Sequence, residues 1–145
     1  MSGHTVTVLL VEDDAIDARA IKRAFQKAKI GNPIVTVTDG LAALARLRGT
    51  DGSPPIEPPY IILLDLNMPR MNGIEFLDKL RDDSQLCNSI VFVLTTSDDD
   101  HDKVAAYAKN VAGYVVKSKA GSDFLDVIGL LDHYWRIIEF PPAGN

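Results

Sequence analysis

Cysteine occurs once in the 145 residues, at Cys87, so the chain has no internal disulfide. The flanking "LCNS" supplies neither a second thiol nor a nearby histidine for a metal, and Cys87 reads as a small packing residue. His4, His101 and His133 lie too far apart in sequence to suggest a metal site or a catalytic role. No apolar run approaches the roughly 20 residues that span a bilayer. The opening "MSGHTVTVLL" lacks the basic region and cleavage site of a secretory leader, which points to a cytoplasmic protein. Positive charge is in deficit: Lys and Arg number 15 against 20 Asp and Glu, a net charge of -5. A surface that tracks nucleic-acid phosphates must be basic, so that class of partner is disfavoured. Repeats and low-complexity tracts are missing too.

What is present is an alternation. Five apolar runs, "TVTVLLV" (5–11), "IVTV" (34–37), "YIILL" (60–64), "IVFVL" (90–94) and "GYVV" (113–116), are separated by helical patterns. Consecutive apolar residues rich in Val and Ile are the mark of parallel strands covered on both faces. The second run is the weakest and is expected at an edge. After Asp14, Ile16, Ala20, Ala24 and Ala28 recur every fourth residue with Ile21 and Phe25 alongside, which predicts one buried stripe. Asp39 is placed to cap a helix through Leu47, and Asn72 one through about Arg81. Ser97 precedes "DDDHDK", which puts acids in a helix's first turn, where the macrodipole favours them. A last helix is expected from near Ser122 to about Ile138, ended by Pro141 and Pro142. The sum is βα five times over: an α/β fold with a five-stranded, doubly wound parallel sheet and helices on both faces. Residues 48–60, with four prolines, read as a surface loop within one domain of residues 1–145.

In such a sheet the strand ends share one edge, where open α/β folds place their sites. The first run ends at "EDD" (12–14), the third at Asp65, the fourth at "TTS" (95–97) and the fifth at Lys117. Glu12, Asp13 and Asp65 brought close together would repel one another without a cation. Hard oxygen ligands that leave room for phosphate point to Mg²⁺. Asp13 and Asp65 are expected as direct ligands, Glu12 through water, and the main-chain carbonyl of Asn67 to complete the protein's share. A carboxylate whose incoming charge is neutralised can accept a phosphoryl group. Lys117 would supply a point charge and the Thr95 hydroxyl a hydrogen bond to a phosphoryl oxygen. Any one of these residues alone is more often an ordinary surface group; four strands delivering them together reverse that balance.

"LLVEDD", "LLDLNMPRMNG", "VLTTS" and "GYVVKS" resemble, in order and spacing, the receiver domains of two-component response regulators. The resemblance covers residues 5 to 138, leaves 139–145 as a tail, and is nearest to single-domain, chemotaxis-type regulators with the flavodoxin-like strand order 2-1-3-4-5. It implies that Asp65 accepts a phosphoryl group from the phosphohistidine of a sensor histidine kinase. It implies also that Thr95 and Tyr114 are a switch pair. Such domains act on themselves only, through their own phosphorylation and slow dephosphorylation. Where the family usually follows the lysine with proline across a cis bond, this chain has Ser118, so the loop is either strained or trans, and Lys119 competes with Lys117 for the role. "LTTS", the insertion before the third strand and the tail "HYWRIIEFP" resemble small regulators that serve phytochrome-type kinases.

Phe124, Val127, Ile128, Leu130, Leu131, Tyr134, Trp135, Ile137 and Ile138 fill about half the circumference of the last helix, wider than the stripe of about 100° that a sheet covers. Leu130, Tyr134 and Ile137, or part of that set, are therefore expected to meet another chain, as a homodimer or a kinase-docking face, unless "EFPP" folds back over them. Three other readings compete with the receiver one. A haloacid-dehalogenase-type phosphatase needs a second carboxyl two residues after the nucleophile, where Asn67 stands. A nucleotide or flavin module wants a glycine-rich first loop, and "VEDDAID" has none. An unphosphorylated pseudo-receiver would have lost some of these residues.

Overall fold

The computed structural model describes residues 5–119 and 124–141. Five strands, β1 (Thr7–Val11), β2 (Ile34–Val37), β3 (Tyr60–Leu64), β4 (Ile90–Thr95) and β5 (Gly113–Val116), alternate with helices α1 (Ala15–Lys27), α2 (Gly40–Arg48), α3 (Gly73–Asp82), α4 (Asp100–Ala108) and α5 (Leu125–Ile137). The sheet is parallel throughout in the order β2-β1-β3-β4-β5, as expected, with the weak second run at one edge.

Strand side chains alternate between faces, so each apolar run feeds two cores. Val8, Leu10, Ile61, Leu63, Phe92 and Leu94 pack under α1 and α5. Leu9, Val11, Ile62, Leu64, Val91 and Val93 pack under α2, α3 and α4. This is why the runs read as continuously hydrophobic.

Capping sets where the helices begin. Asp14 caps α1 through the N–H groups of Ile16 and Asp17, Asp39 caps α2 through Ala42, and Asn72 forms a capping box with Glu75. The cap of α4 is Asp99, whose side chain accepts from the His101 N–H, and Asp100 and Asp102 stand in the first turn as expected; Ser97 lies two residues earlier, its hydroxyl donating to Asp102 at 2.6 Å. The buried stripe of α1 is Ala18, Ile21, Ala24 and Phe25, while Ile16 and Ala28 are exposed. The expected set was out of phase at both ends, since four-residue spacing drifts around a helix of 3.6 residues per turn.

The described part of α5 starts at Leu125, after Phe124 in the left-handed region (φ 59°), and the expected start near Ser122 lies outside the described residues. Val127, Ile128, Leu131 and Trp135 are buried, and Trp135 stacks on Phe25 of α1. Tyr134 packs edge-on against Phe92 of β4, and Phe140 of the tail rests on the same core. Tyr134 is thereby engaged within the chain, whereas Leu130 and Ile137 are 57% and 69% exposed. Among the described residues, no helix is long and apolar enough to cross a membrane.

Candidate functional site

The strand order reverses between β1 and β3, whose following helices α1 and α3 pack on opposite faces of the sheet, and that is where open α/β folds place their sites. Asp65 follows β3 directly and is 6% exposed. Its N–H donates to the Val11 carbonyl at 3.0 Å, which continues the ladder one residue past the strand and fixes where the carboxylate stands. Behind it, α3 begins so close that a Cβ on Gly73 would lie 2.6 Å from the Cα of Leu66 and 2.8 Å from the carbonyl oxygen of Asp65. Only glycine permits that approach.

The Asp65 carboxylate is held on both oxygens. Oδ1 accepts from the Thr95 hydroxyl at 2.7 Å and from the Asn67 N–H at 3.2 Å, and Oδ2 lies 3.8 Å from Lys117 Nζ. Thr95 is fully buried at the end of β4. Glu12 is 2% exposed, Asp13 is exposed, and with Asp65 they bring one carboxylate oxygen each to within 4.8 Å of one another. Lys117 Nζ lies within 2.6 Å of Glu12 Oε1 and 2.8 Å of Asp17 Oδ2. Glu12 also accepts from the Asp14 N–H at 3.2 Å.

Charge at the site is finely divided. Burial is the main force on Glu12, and with the Asp65 carboxylate beside it the carboxyl is pushed up to about 7 against the pull of Lys117. Burial works against the Lys117 ammonium, but hydrogen bonds to Asp17 and Glu12 outweigh it and keep the lysine above its ordinary value. Lys117 therefore stays cationic at neutral pH. Three carboxylates offering convergent oxygens, with one buried ammonium at their side, make a donor set that fits a hard divalent cation.

From Thr95 a chain of hydrogen bonds runs outward. The Ser97 N–H reaches Thr95 Oγ1 at 3.4 Å, and the Ser97 carbonyl accepts from the Tyr114 hydroxyl at 3.0 Å. Half-buried Tyr114 on β5 is thus linked to Asp65 through the loop that leads into α4. A second strut comes from the opposite side: the Arg70 guanidinium grips Asp39 with Nε at 2.7 Å and also with Nη2, and the Gly40 N–H donates to the Met71 carbonyl. The loop that carries Asn67 is so tied to the start of α2.

Every residue singled out from the sequence, Glu12, Asp13, Asp65, Asn67, Thr95, Lys117 and Tyr114, falls on this edge. The side chain that makes the contacts is Lys117; of Lys119 only the backbone, in the 3-10 turn Lys117–Lys119, is described. The Lys117–Ser118 bond is trans, since among the described residues the one cis bond is Pro58–Pro59. Asp17, Arg70 and Gly73 were not anticipated. Asp17 carried no signal of its own in the sequence, because its partner Lys117 lies 100 positions away.

A parallel sheet in this order, with an acidic cluster, a hydroxyl and a lysine at the ends of β1, β3, β4 and β5, defines a receiver-type α/β domain. The chain belongs to the response regulator receiver domain family, whose model matches residues 8–128. It is 33% identical over 143 residues to the response regulator Rcp1 of Synechocystis sp., covering 99% of this chain and 97% of that one. The solved Mn²⁺-bound form of Rcp1 superposes with a TM-score of 0.80 at 32% identity, covering 94% of this chain and 99% of the other. The phosphorylated cyanobacterial phytochrome response regulator RcpA gives a TM-score of 0.81 at 31% identity, covering 96% of this chain and 100% of the other. The protein is a receiver of two-component signal transduction, a family phosphorylated by histidine kinases, and neither the phosphatase nor the pseudo-receiver reading is favoured.

Proposed function

We propose that Asp65 is the phosphoryl acceptor of this receiver. The observation that carries the reading is the setting of its carboxylate: nearly buried, hydrogen-bonded by Thr95 on one oxygen, faced by the Lys117 ammonium on the other, and beside Glu12 and Asp13. In the transfer an Asp65 oxygen forms the new O–P bond as the N–P bond of the donor phosphohistidine breaks. The electron pair of that bond stays on the imidazole nitrogen, which takes up a proton from solvent. Thr95 and Lys117 then serve the phosphoryl oxygens, the first as a hydrogen-bond donor and the second as a point charge. Asp13, Asp65 and the main-chain carbonyl of Asn67 would hold Mg²⁺, with Glu12 acting through water. When bound, the ion offsets the negative charge gathered at the acceptor.

Thr95 and Tyr114 form the switch, since the bonds through Ser97 let a change at Asp65 reach β5 and α4. The chain works as a single receiver domain of residues 1–145 whose chemistry is confined to its own phosphorylation and slow dephosphorylation. Likeness to a phytochrome response regulator supports a phytochrome-type sensor histidine kinase as donor. The exposed Leu130 and Ile137 support a homodimer through α5 and the tail.

Incubation with acetyl phosphate and Mg²⁺, followed by intact-mass measurement, tests the core of this reading. One phosphoryl group is expected on the wild type and none on Asp65→Asn or in EDTA. A gain that survives Asp65→Asn would place the acceptor elsewhere.

A further inference from the structure

The assignment of Lys117 to the phosphoryl oxygens leaves a physical question about the lysine itself. A lysine is a flexible four-carbon stem ending in three freely rotating donors, and nothing in its covalent structure aims it. A hydrogen bond to a single carboxylate leaves the ammonium free to swing about that one acceptor. Here the ammonium has two acceptors on different elements: Glu12 at the end of β1, at 2.6 Å, and Asp17 in the first turn of α1, at 2.8 Å. Asp65 Oδ2, at 3.8 Å, lies beyond hydrogen-bond range. Two of the three N–H groups are thereby committed, and tetrahedral geometry leaves the third for whatever arrives at Asp65.

Asp17 is itself fixed in space. The Asp14 carboxylate that caps α1 accepts from the Asp17 N–H at 3.2 Å, and the Asp14 N–H donates to Glu12 Oε2 at 3.2 Å. Glu12, Asp14, Asp17 and Lys117 close a ring of hydrogen bonds that ties the start of α1 to the end of β5. The two anchors differ in character: the Glu12 side chain is 1% exposed and that of Asp17 29%.

From this geometry we infer that Asp17 is a positioning residue for phosphoryl acceptance, holding the Lys117 ammonium with one donor free toward Asp65. The inference rests on the reading of Asp65 and Lys117 given above and goes beyond it, because Asp17 touches neither Asp65 nor an arriving phosphoryl group. The competing account is that Asp17 is an acid in the first turn of α1 and steadies the helix dipole.

The two accounts separate in a double-mutant cycle on the full chain, with acetyl phosphate at saturating Mg²⁺ and the rate of mass gain as readout. Asp17→Asn is isosteric and is expected to slow the gain about three- to fivefold, the worth of a partly exposed ion pair. Asp17→Glu should restore most of the rate. In a Lys117→Ala background Asp17→Asn should add nothing. An equal slowing in that background, or a wild-type rate in the single variant, overturns the inference. A second measurement involves no phosphoryl donor: in protein labelled with ¹⁵N-lysine, the Lys117 ammonium should give a slowly exchanging signal that broadens away in Asp17→Asn. An unchanged signal also overturns it. If Lys117→Ala is itself phosphorylated at the wild-type rate, the reading of Lys117 falls and this inference with it. If Lys117→Ala is slow while Asp17→Asn is indifferent, only the role of Asp17 falls.

Discussion

At the scale of single residues, the site depends on one close approach and a few short hydrogen bonds. Asp65 can be buried because both its oxygens have neighbours, a hydroxyl on one and a cation on the other; without them a buried carboxylate would be strongly unfavourable. Gly73 matters through what it lacks. An added methyl would press on the Leu66 backbone, which has no rotamer with which to yield, so Gly73→Ala should lose about 1–3 kcal/mol. Because the same methyl would meet the Asp65 carbonyl, phosphoryl acceptance should fall as well. Denaturant unfolding and the mass assay check the two effects, and a variant as stable and as reactive as the wild type would refute the close-packing argument. The acids, Thr95 and Lys117 were legible in the sequence because each ends an apolar run. Gly73 was not legible, since a glycine before a helix has many meanings until the opposing backbone is in place.

At the scale of elements, the strut between α2 and the loop after β3 is open to a pH experiment. Burial alone would raise the Asp39 carboxyl, but the Ala42 N–H and the Arg70 guanidinium outweigh it and hold it below its ordinary 3.8. A carboxyl lowered in the folded state adds stability that is present above the unfolded value and lost as pH falls through the folded one. Arg70→Ala should therefore be less stable than the wild type at pH 7, and the gap should close as the pH drops below 3.8. With the Arg70 side chain 61% exposed, the gap at neutrality should be only about 0.2–1 kcal/mol. Thermal midpoints across that range measure it, and a gap independent of pH would mean that the ion pair contributes nothing. Asp39 was visible beforehand as a helix cap, a role written in local sequence. Its partner 31 positions away was not, because only the fold brings Arg70 to it.

For the whole molecule, two cores on either side of one sheet bury most of the apolar residues of the central strands β1, β3 and β4, and what is left over is informative. Leu130 and Ile137 stay exposed on α5 even though Tyr134 and Phe140 have found places against β4 and the core. Scattered exposed leucines are ordinary, so the test lies in the pair. Sedimentation at rising concentration should reveal self-association of the wild type that Leu130→Glu with Ile137→Glu abolishes. A wild type that stays monomeric at high concentration, with and without a phosphoryl mimic, would remove the dimer. The succession of strands and helices along the chain, the edge position of β2 and the gathering of Glu12, Asp13, Asp65, Thr95 and Lys117 at one edge were legible in the sequence, because hydrophobic period and strand-end position are local properties that topology rules convert into place, while the strand order itself came from the family resemblance. Tertiary structure alone decided that Lys117 bonds to Asp17, that Arg70 reaches Asp39, and which part of α5 is covered. Those outcomes depend on distances between residues far apart in the chain, and a side chain's partner is chosen by whichever element packs beside it.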